Sequence, residues 1–312
     1  MNILFLSRTI PKRYTEKVFS DQKDAMQSAA VSFQKKIIGG LESNLQHPSN
    51  LFNLMPVYSY PKYYKNMFVK GGEFSHAYGS QDYNVGFFNL MYVKQIFLKS
   101  SYLWQFRRYL KNKKFDAVIC YTPDAVLLSA VKVMKKLHPQ IKNCVVIPDM
   151  PEFTNLSSKQ SFIRRTYNAY LAKQSRKMNK YIDSFVYLTK QSADFWCDTK
   201  PYVVIEGIAD KKDTALSIKK EESGKKIILY TGTTNTQFGI LSLLEAFSLI
   251  EGDEYELQIC GCGDADNIIR DKEKRDKRIK FLDEVIEELS NTLDIAISNK
   301  KPYLNPVTNS KV

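Results

Sequence analysis

Short runs of β-branched and apolar residues recur along this chain, and most are followed by a segment whose apolar residues step by three or four. The runs are 2–7, 115–120, 143–147, 184–188, 202–205, 226–231, 255–260 and 278–282. Several lack polar alternation, which is the pattern of strands buried on both faces of a parallel sheet. Helical spacing shows in Met26, Ala30, Phe33, Ile37 and Leu41, in 124–137 between Pro123 and Pro139, and in Ile240, Leu243, Leu244 and Phe247. Parallel strands need long crossovers, so this order predicts two doubly wound α/β units. The stretch 210–224 is charged, weakly apolar and ends in Gly224, which is linker composition. It divides the chain into a first domain at 1–210, a linker at 211–224 and a second domain at 225–312. The stretch 43–89 is rich in Tyr, Asn, Gly and Pro without a clear period, and no element is assigned to it.

The 312 residues leave room for roughly two domains of about 150 residues. With 44% hydrophobic and 25% charged residues the chain can bury a real core, which excludes disordered, collagenous and disulfide-scaffold classes. Cys120, Cys144, Cys197, Cys260 and Cys262 are odd in number and lie mostly in apolar runs, as expected for reduced thiols. No apolar run approaches the roughly 18–20 residues of a membrane span, and 1–7 reads as a first strand rather than a leader. A cytoplasmic protein is expected. Charge is distributed unevenly within the net +13. Residues 223–312 hold 12 Lys and Arg against 15 Asp and Glu; the first 222 hold 34 against 18, a net of +16. A basic first half points to an anionic partner, whether membrane, nucleic acid or a phosphorylated substrate.

The strongest local signal is 226–240, where a strand ends in Gly232, a polar loop runs to Gly239, and a helix begins. Free amides at a helix start can hold a phosphate. The loop is neither Gly-x-Gly-x-x-Gly nor a P-loop, so phosphate binding and an ordinary turn both remain open. Gly261-Cys-Gly263-Asp264 follows the next strand and reads as a tight turn or a ligand contact, at the strand end where α/β folds bind ligands. Cys260 and Cys262 lack a second pair or a nearby His, so no zinc site is expected. In the first half, Asp149 and Glu152 lie just beyond a strand, as polar site groups or as parts of a proline-stiffened turn. Glu206 poses the same choice, and 121–124 is a helix start beyond another strand. His47, His76 and His138 are scattered and form no metal set. Two segments, 87–114 and 161–181, interleave aromatics with cations, among them Arg107, Arg108, Arg164 and Arg165. Such helices suit anionic lipid surfaces or a solvated charged face. No nucleic-acid recognition motif accompanies them.

Together these residues resemble bacterial glycosyltransferases of family 4, of the kind that assembles capsule, exopolysaccharide and O-antigen. The first half is similar through 27–34, 40–42, 60–63, 148–153, 185–189 and 204–208. The second is similar through Leu229-Tyr-Thr-Gly232, Gly239, Leu244-Glu-Ala-Phe247 and Gly261-Cys-Gly-Asp264. The resemblance implies a GT-B architecture, two Rossmann-like domains facing across a cleft, with acceptor on the first and donor on the second. It implies hexosyl transfer from a nucleotide-sugar with retention, and neither a metal nor a cofactor. Donor binding then falls to Gly232, Thr233, Gly239, Gly261, Gly263 and Glu206, and catalysis to Asp149 and Glu152. Arg107, Arg108, Arg164 and Arg165 would meet a lipid-linked oligosaccharide and the inner face of the plasma membrane, where the protein would sit peripherally.

Residues 233–240 contain no basic side chain, and 88 residues follow Gly224, against about 150 for a Rossmann-like domain. An acidic helix is expected over 283–294, and the family's later carboxylate motif has no match. The second domain is therefore expected to be incomplete and the transfer activity impaired, with a partner protein completing it. The alternative is a non-catalytic, membrane-associated partner in a polysaccharide-assembly complex. A nicotinamide-dependent epimerase is disfavoured: no Gly-x-Gly-x-x-Gly follows Ser7, and no Tyr-x-x-x-Lys pair accompanies a nicotinamide site.

Overall fold

The computed structural model describes residues 1–23, 28–91, 93–152, 162–196, 199–208 and 224–282. Contacts divide the chain into Met1–Ala209 and Asp210–Val312. The linker stretch up to residue 223 and the acidic segment 283–294 fall outside the described residues.

The first unit runs β1 (Ile3–Ser7), α1 (Thr15–Asp21), α2 (Ser28–Glu42), β2 (Asn50–Asn53), β3 (Phe68–Val69), β4 (Gly72–Phe74), β5 (Asp82–Asn84), β6 (Phe87–Phe88) and α3 (Lys94–Tyr109). It continues with β7 (Ala117–Tyr121), α4 (Ala125–Leu137), β8 (Lys142–Ile147), α5 (Phe162–Lys177), β9 (Ser184–Tyr187), α6 (Lys190–Trp196) and β10 (Tyr202–Val204). Eight strands form one sheet in the order β10-β9-β8-β7-β1-β2-β5-β4. All pairs are parallel except β4 with β5. The first crossover carries the chain from β1 to β2 on one side, whereas β7, β8, β9 and β10 build outward on the other. The switch point lies between β1 and β7, whose Leu4 and Val118 are in register.

Alternate residues of each buried strand face opposite layers. Phe5, Tyr121 and Val146 pack with Ile38 of α2, while Leu4, Leu6, Val118 and Val145 pack with Tyr102 and Phe106 of α3 and Leu127 and Val131 of α4. At about 1.5–3 kcal/mol per large side chain, these two layers supply the unit's main stabilisation. The Asp124 carboxylate starts α4 by accepting from the amides of Val126 at 2.8 Å and Leu127 at 3.3 Å. His138 ends it, ahead of Pro139, whose ring cannot continue a helix.

The stretch 43–89, given no element from sequence, supplies β2 near the sheet centre and four further short strands. The first basic segment, open from sequence to a lipid-facing helix or a solvated charged face, packs its apolar side inward. Tyr102, Phe106 and Tyr109 of α3 are core residues, leaving Phe97 and Trp104 exposed at 57% and 62% beside Arg107 and Arg108.

The second unit runs β11 (Lys226–Thr231), α7 (Ile240–Ser248), β12 (Tyr255–Cys260), α8 (Asp266–Arg275) and β13 (Ile279–Leu282). Its three strands are parallel in sequence order. Ile240, Leu244 and Phe247, one stripe of α7, are buried with Leu257, Ile259, Ile269 and Ile279.

Candidate functional site

In the second unit the loops after β11 and β12 interlock at the carboxyl edge of the sheet. Gly232 leaves β11 with φ 148°, and its amide donates to the Cys260 carbonyl at 3.0 Å. Thr234 is wholly buried: its amide donates to the Cys262 carbonyl at 3.1 Å, its carbonyl accepts from Ala265 at 3.1 Å, and its hydroxyl donates to Asp266. Asn235 accepts from the Asp264 amide at 2.9 Å, and Asp264 accepts from the Thr236 amide at 2.7 Å. A Cβ on Gly261 would lie 1.8 Å from the Gly232 carbonyl oxygen, and one on Gly263 would lie 2.4 Å from the Thr234 carbonyl carbon. These glycines let one loop lie on the other, so their first role is loop packing.

Beyond the interlock, Gly239 (φ 82°, ψ 12°) begins α7 in the left-handed region with no side-chain cap. A Cβ there would meet nothing within 4 Å. The Leu243 amide returns to the Gly239 carbonyl at 3.0 Å, so the amides of Ile240, Leu241 and Ser242 precede the first such bond of the helix. The positive end of α7 thus follows the same loop that carries exposed Gly232 and Thr233.

The carboxyl edge of the first unit is arranged differently. Arg8, just past β1, and Asp124, just past β7, flank the switch point and pair at 2.9 Å. The other Asp124 oxygen caps α4, so that helix end is already occupied by an anion. Lys94, at the start of α3, donates to the Val57 carbonyl at 2.9 Å and lies 4.9 Å from the Phe87 ring centre. Burial, reinforced by the Arg8 charge and opposed by Asp124, brings its pKa down to about 7. Thr122, between β7 and Asp124, has φ 72°, strained for a β-branched residue. Asp149 follows β8; neighbouring atoms desolvate its carboxyl and raise its pKa, although the residue keeps solvent access. Its charge in turn raises the pKa of the desolvated Tyr121 hydroxyl.

The structure therefore brings Gly232, Thr233, Gly239, Gly261 and Gly263 to one edge, and Asp149 to the edge that holds Arg8 and Asp124. Glu152 is engaged elsewhere. It accepts from Arg176 Nε at 2.6 Å, and that guanidinium also reaches the Trp196 carbonyl and lies over the Phe195 and Trp196 rings. Glu206 is exposed beyond β10, the outermost strand of the sheet. Arg107, Arg108 and Arg165 are exposed on α3 and α5; the Arg164 side chain falls outside the described residues. Sequence reading passed over Arg8 and Lys94. A cation directly after the first strand of a doubly wound unit is a usable signal for Arg8; Lys94 has none, because its burial comes from tertiary packing. Among the described residues no three His, Cys, Asp or Glu side chains gather as a metal site, and no helix is long and apolar enough to cross a membrane.

No protein-family model matches the chain, and no curated protein matches it. Solved structures do. Sucrose-phosphate synthase from Thermosynechococcus elongatus matches with a TM-score of 0.55 at 11% identity, over 96% of this chain and 73% of that one. The N-terminal domain of Candida albicans trehalose-6-phosphate phosphatase matches at 0.60 and 10% identity, over 95% and 75%. This chain has the GT-B, Rossmann-like fold. The trehalose-6-phosphate protein of E. coli bound with UDP-2-fluoro glucose is similar at 0.50 and 10% identity, over 94% and 76%. At such identities the likeness concerns architecture.

Proposed function

We propose that this GT-B protein transfers a sugar from a nucleotide-sugar to a lipid-linked or polysaccharide acceptor in surface-polysaccharide assembly, as a relative of family 4 glycosyltransferases. The observation that carries the reading is the contrast between two helix starts. In the first unit the α4 end is filled by Asp124; in the second, α7 starts at a glycine with no side-chain cap, at the end of the loop that begins with exposed Gly232. A diphosphate fits the second, because backbone amides and the helix dipole stabilise anions without a basic side chain. The UDP-sugar compound named with the E. coli neighbour is consistent with this assignment.

In the reaction the bond between the anomeric carbon and the diphosphate oxygen breaks, and charge accumulates on the departing diphosphate. Fixed amides at the α7 end would stabilise that charge more in the transition state than in the donor. Asp149 is the residue proposed to act on the acceptor, since a partly desolvated carboxyl exchanges protons nearer neutral pH. Glu152, held by Arg176, is assigned a positioning role. Retention, independence of metal, and peripheral attachment to the inner membrane surface complete the proposal.

Titration calorimetry of the full chain with UDP-, GDP- and dTDP-sugars tests it. Saturable binding of one donor, followed by weak transfer that Asp149→Asn abolishes, is the expected result. Silence across all three donor classes would contradict it and favour a non-catalytic assembly partner.

A further inference from the structure

A cavity of about 330 Å³ opens in the first unit between the loop after β1, the second half of α2 and the chain leaving β4. Ile38, Leu51 and Phe74 give it a mainly apolar floor, and Lys12, Arg13 and Lys35 stand around it. The ammonium groups of Lys12 and Lys35 have no hydrogen-bond or ion-pair partner among the described residues. The Arg13 guanidinium donates to the Tyr14 hydroxyl at 2.6 Å and lies 4.5 Å from the Tyr14 ring centre and 5.9 Å from that of Phe74. Glu42 and His76 also line the cavity; the imidazole bonds Glu42 at 2.9 Å and buried Asp82 at 2.7 Å, so one imidazolium serves two carboxylates and the cluster keeps one negative charge against the cations of Lys12, Arg13 and Lys35. Three exposed cations thus line an apolar hollow, two of them without a partner among the described residues.

Gly39 is the second observation. It sits inside α2 and lines the cavity, yet a Cβ there would meet nothing within 4 Å, and its φ is not one that favours glycine. Glycine inside a helix is unfavourable relative to alanine. Neither packing nor backbone conformation requires it here; adjacent Gly40 is equally free of neighbours, and Gly39 is the one of the two that lines the hollow.

We propose that this cavity binds an amphiphilic phosphate ester, with the aliphatic part over Ile38, Leu51 and Phe74 and the phosphate held by Lys12, Arg13 and Lys35. Arg and Lys are the side chains that grip phosphate, by a planar fork and by point charge respectively. The volume is at the small end of ligand sites, roughly 300–1,000 Å³, which suits a short chain or the first part of a longer one. The site goes beyond the donor assignment and does not depend on it.

The test titrates the full chain with octyl phosphate, octanol and inorganic phosphate, each below any micellar concentration. Octyl phosphate is expected to bind at least tenfold more tightly than either half-probe. Gly39→Phe, which fills the hollow, and the double variant Lys12→Gln/Lys35→Gln, which removes charge, should each weaken it tenfold or more with the melting temperature retained. Competition by octyl phosphate against anionic phosphatidylglycerol vesicles would identify a membrane lipid as the source. Octyl phosphate binding without such competition would identify a soluble ester, and both outcomes support the site. Equal affinity for inorganic phosphate and octyl phosphate, or wild-type affinity in a folded Gly39→Phe protein, would overturn it.

Discussion

Between pH 6.5 and 9 the side chains of His76 and Lys94 drive stability in opposite directions. Burial lowers the His76 pKa, but the hydrogen bonds to Asp82 and Glu42 more than offset this and raise it to about 9. The folded protein therefore binds this proton more tightly than the unfolded chain, and the stabilisation is lost as pH rises through 9. Lys94 is the reverse case: burial lowers its pKa to about 7. Between pH 7 and 10.5 the unfolded chain binds more protons at this position, so its contribution to stability rises with pH. Urea unfolding from pH 6.5 to 9 reads both. Lys94→Met is expected to fall more steeply with pH than wild type, and His76→Gln to lose the falling part; identical pH slopes in all three would refute the pairing. Glu152 provides a second test at this scale. Its pair with Arg176 is only partly buried, so Glu152→Gln is expected to cost on the order of 1 kcal/mol in unfolding free energy. It should also reduce transfer less than Asp149→Asn does; the opposite ranking would return Glu152 to the catalytic role that the family resemblance implied.

The two loops of the second unit explain why their glycines are where they are. Gly261→Ala would drive a methyl into the Gly232 carbonyl, and Gly263→Ala into the backbone of Thr234. Each is expected to destabilise the unit by about 2 kcal/mol or more, read by thermal unfolding, whereas Gly207→Ala, which meets nothing, should change little. Unchanged melting in the Gly261 and Gly263 variants would mean the loops do not interlock as described. The elements here were legible: 226–231 and 255–260 are strand-like segments each followed directly by Gly, and both form strands at those limits. What the sequence left open was the purpose of Gly-x-Gly, because a close approach between distant backbones leaves no periodic trace. Strand β2 was missed for a related reason. Asn50 and Asn53 bracket only two apolar residues, which reads as a turn. In the structure Asn53 is fully buried and bonds Ser7, Thr9 and Asn84, so partners far along the chain satisfy a residue that local propensity would keep out of a strand.

Across the whole molecule, charge and exposed aromatics point one way. The net +16 of the first 222 residues, with Phe97, Trp104, Arg107 and Arg108 exposed on α3, predicts attachment to anionic vesicles. Each basic group near the surface is worth about 1 kcal/mol, and 1 M salt shortens the screening length to about 3 Å. Co-sedimentation should be strong at low salt, lost at high salt and absent with neutral lipid; equal binding to both lipid types would contradict an electrostatic attachment. The central claim is that the start of α7 receives a donor diphosphate. Gly239→Asn and Gly239→Asp test it directly, since both residues tolerate left-handed backbone, nearly match in shape and differ in charge. The measurement is calorimetric affinity of the full chain for the donor that it binds. The account predicts that the Asn variant stays within a few-fold of wild type while the Asp variant, placing an anion where Asp124 already stands in the first unit, loses at least tenfold. Equal donor affinity in the Asn and Asp variants would contradict it.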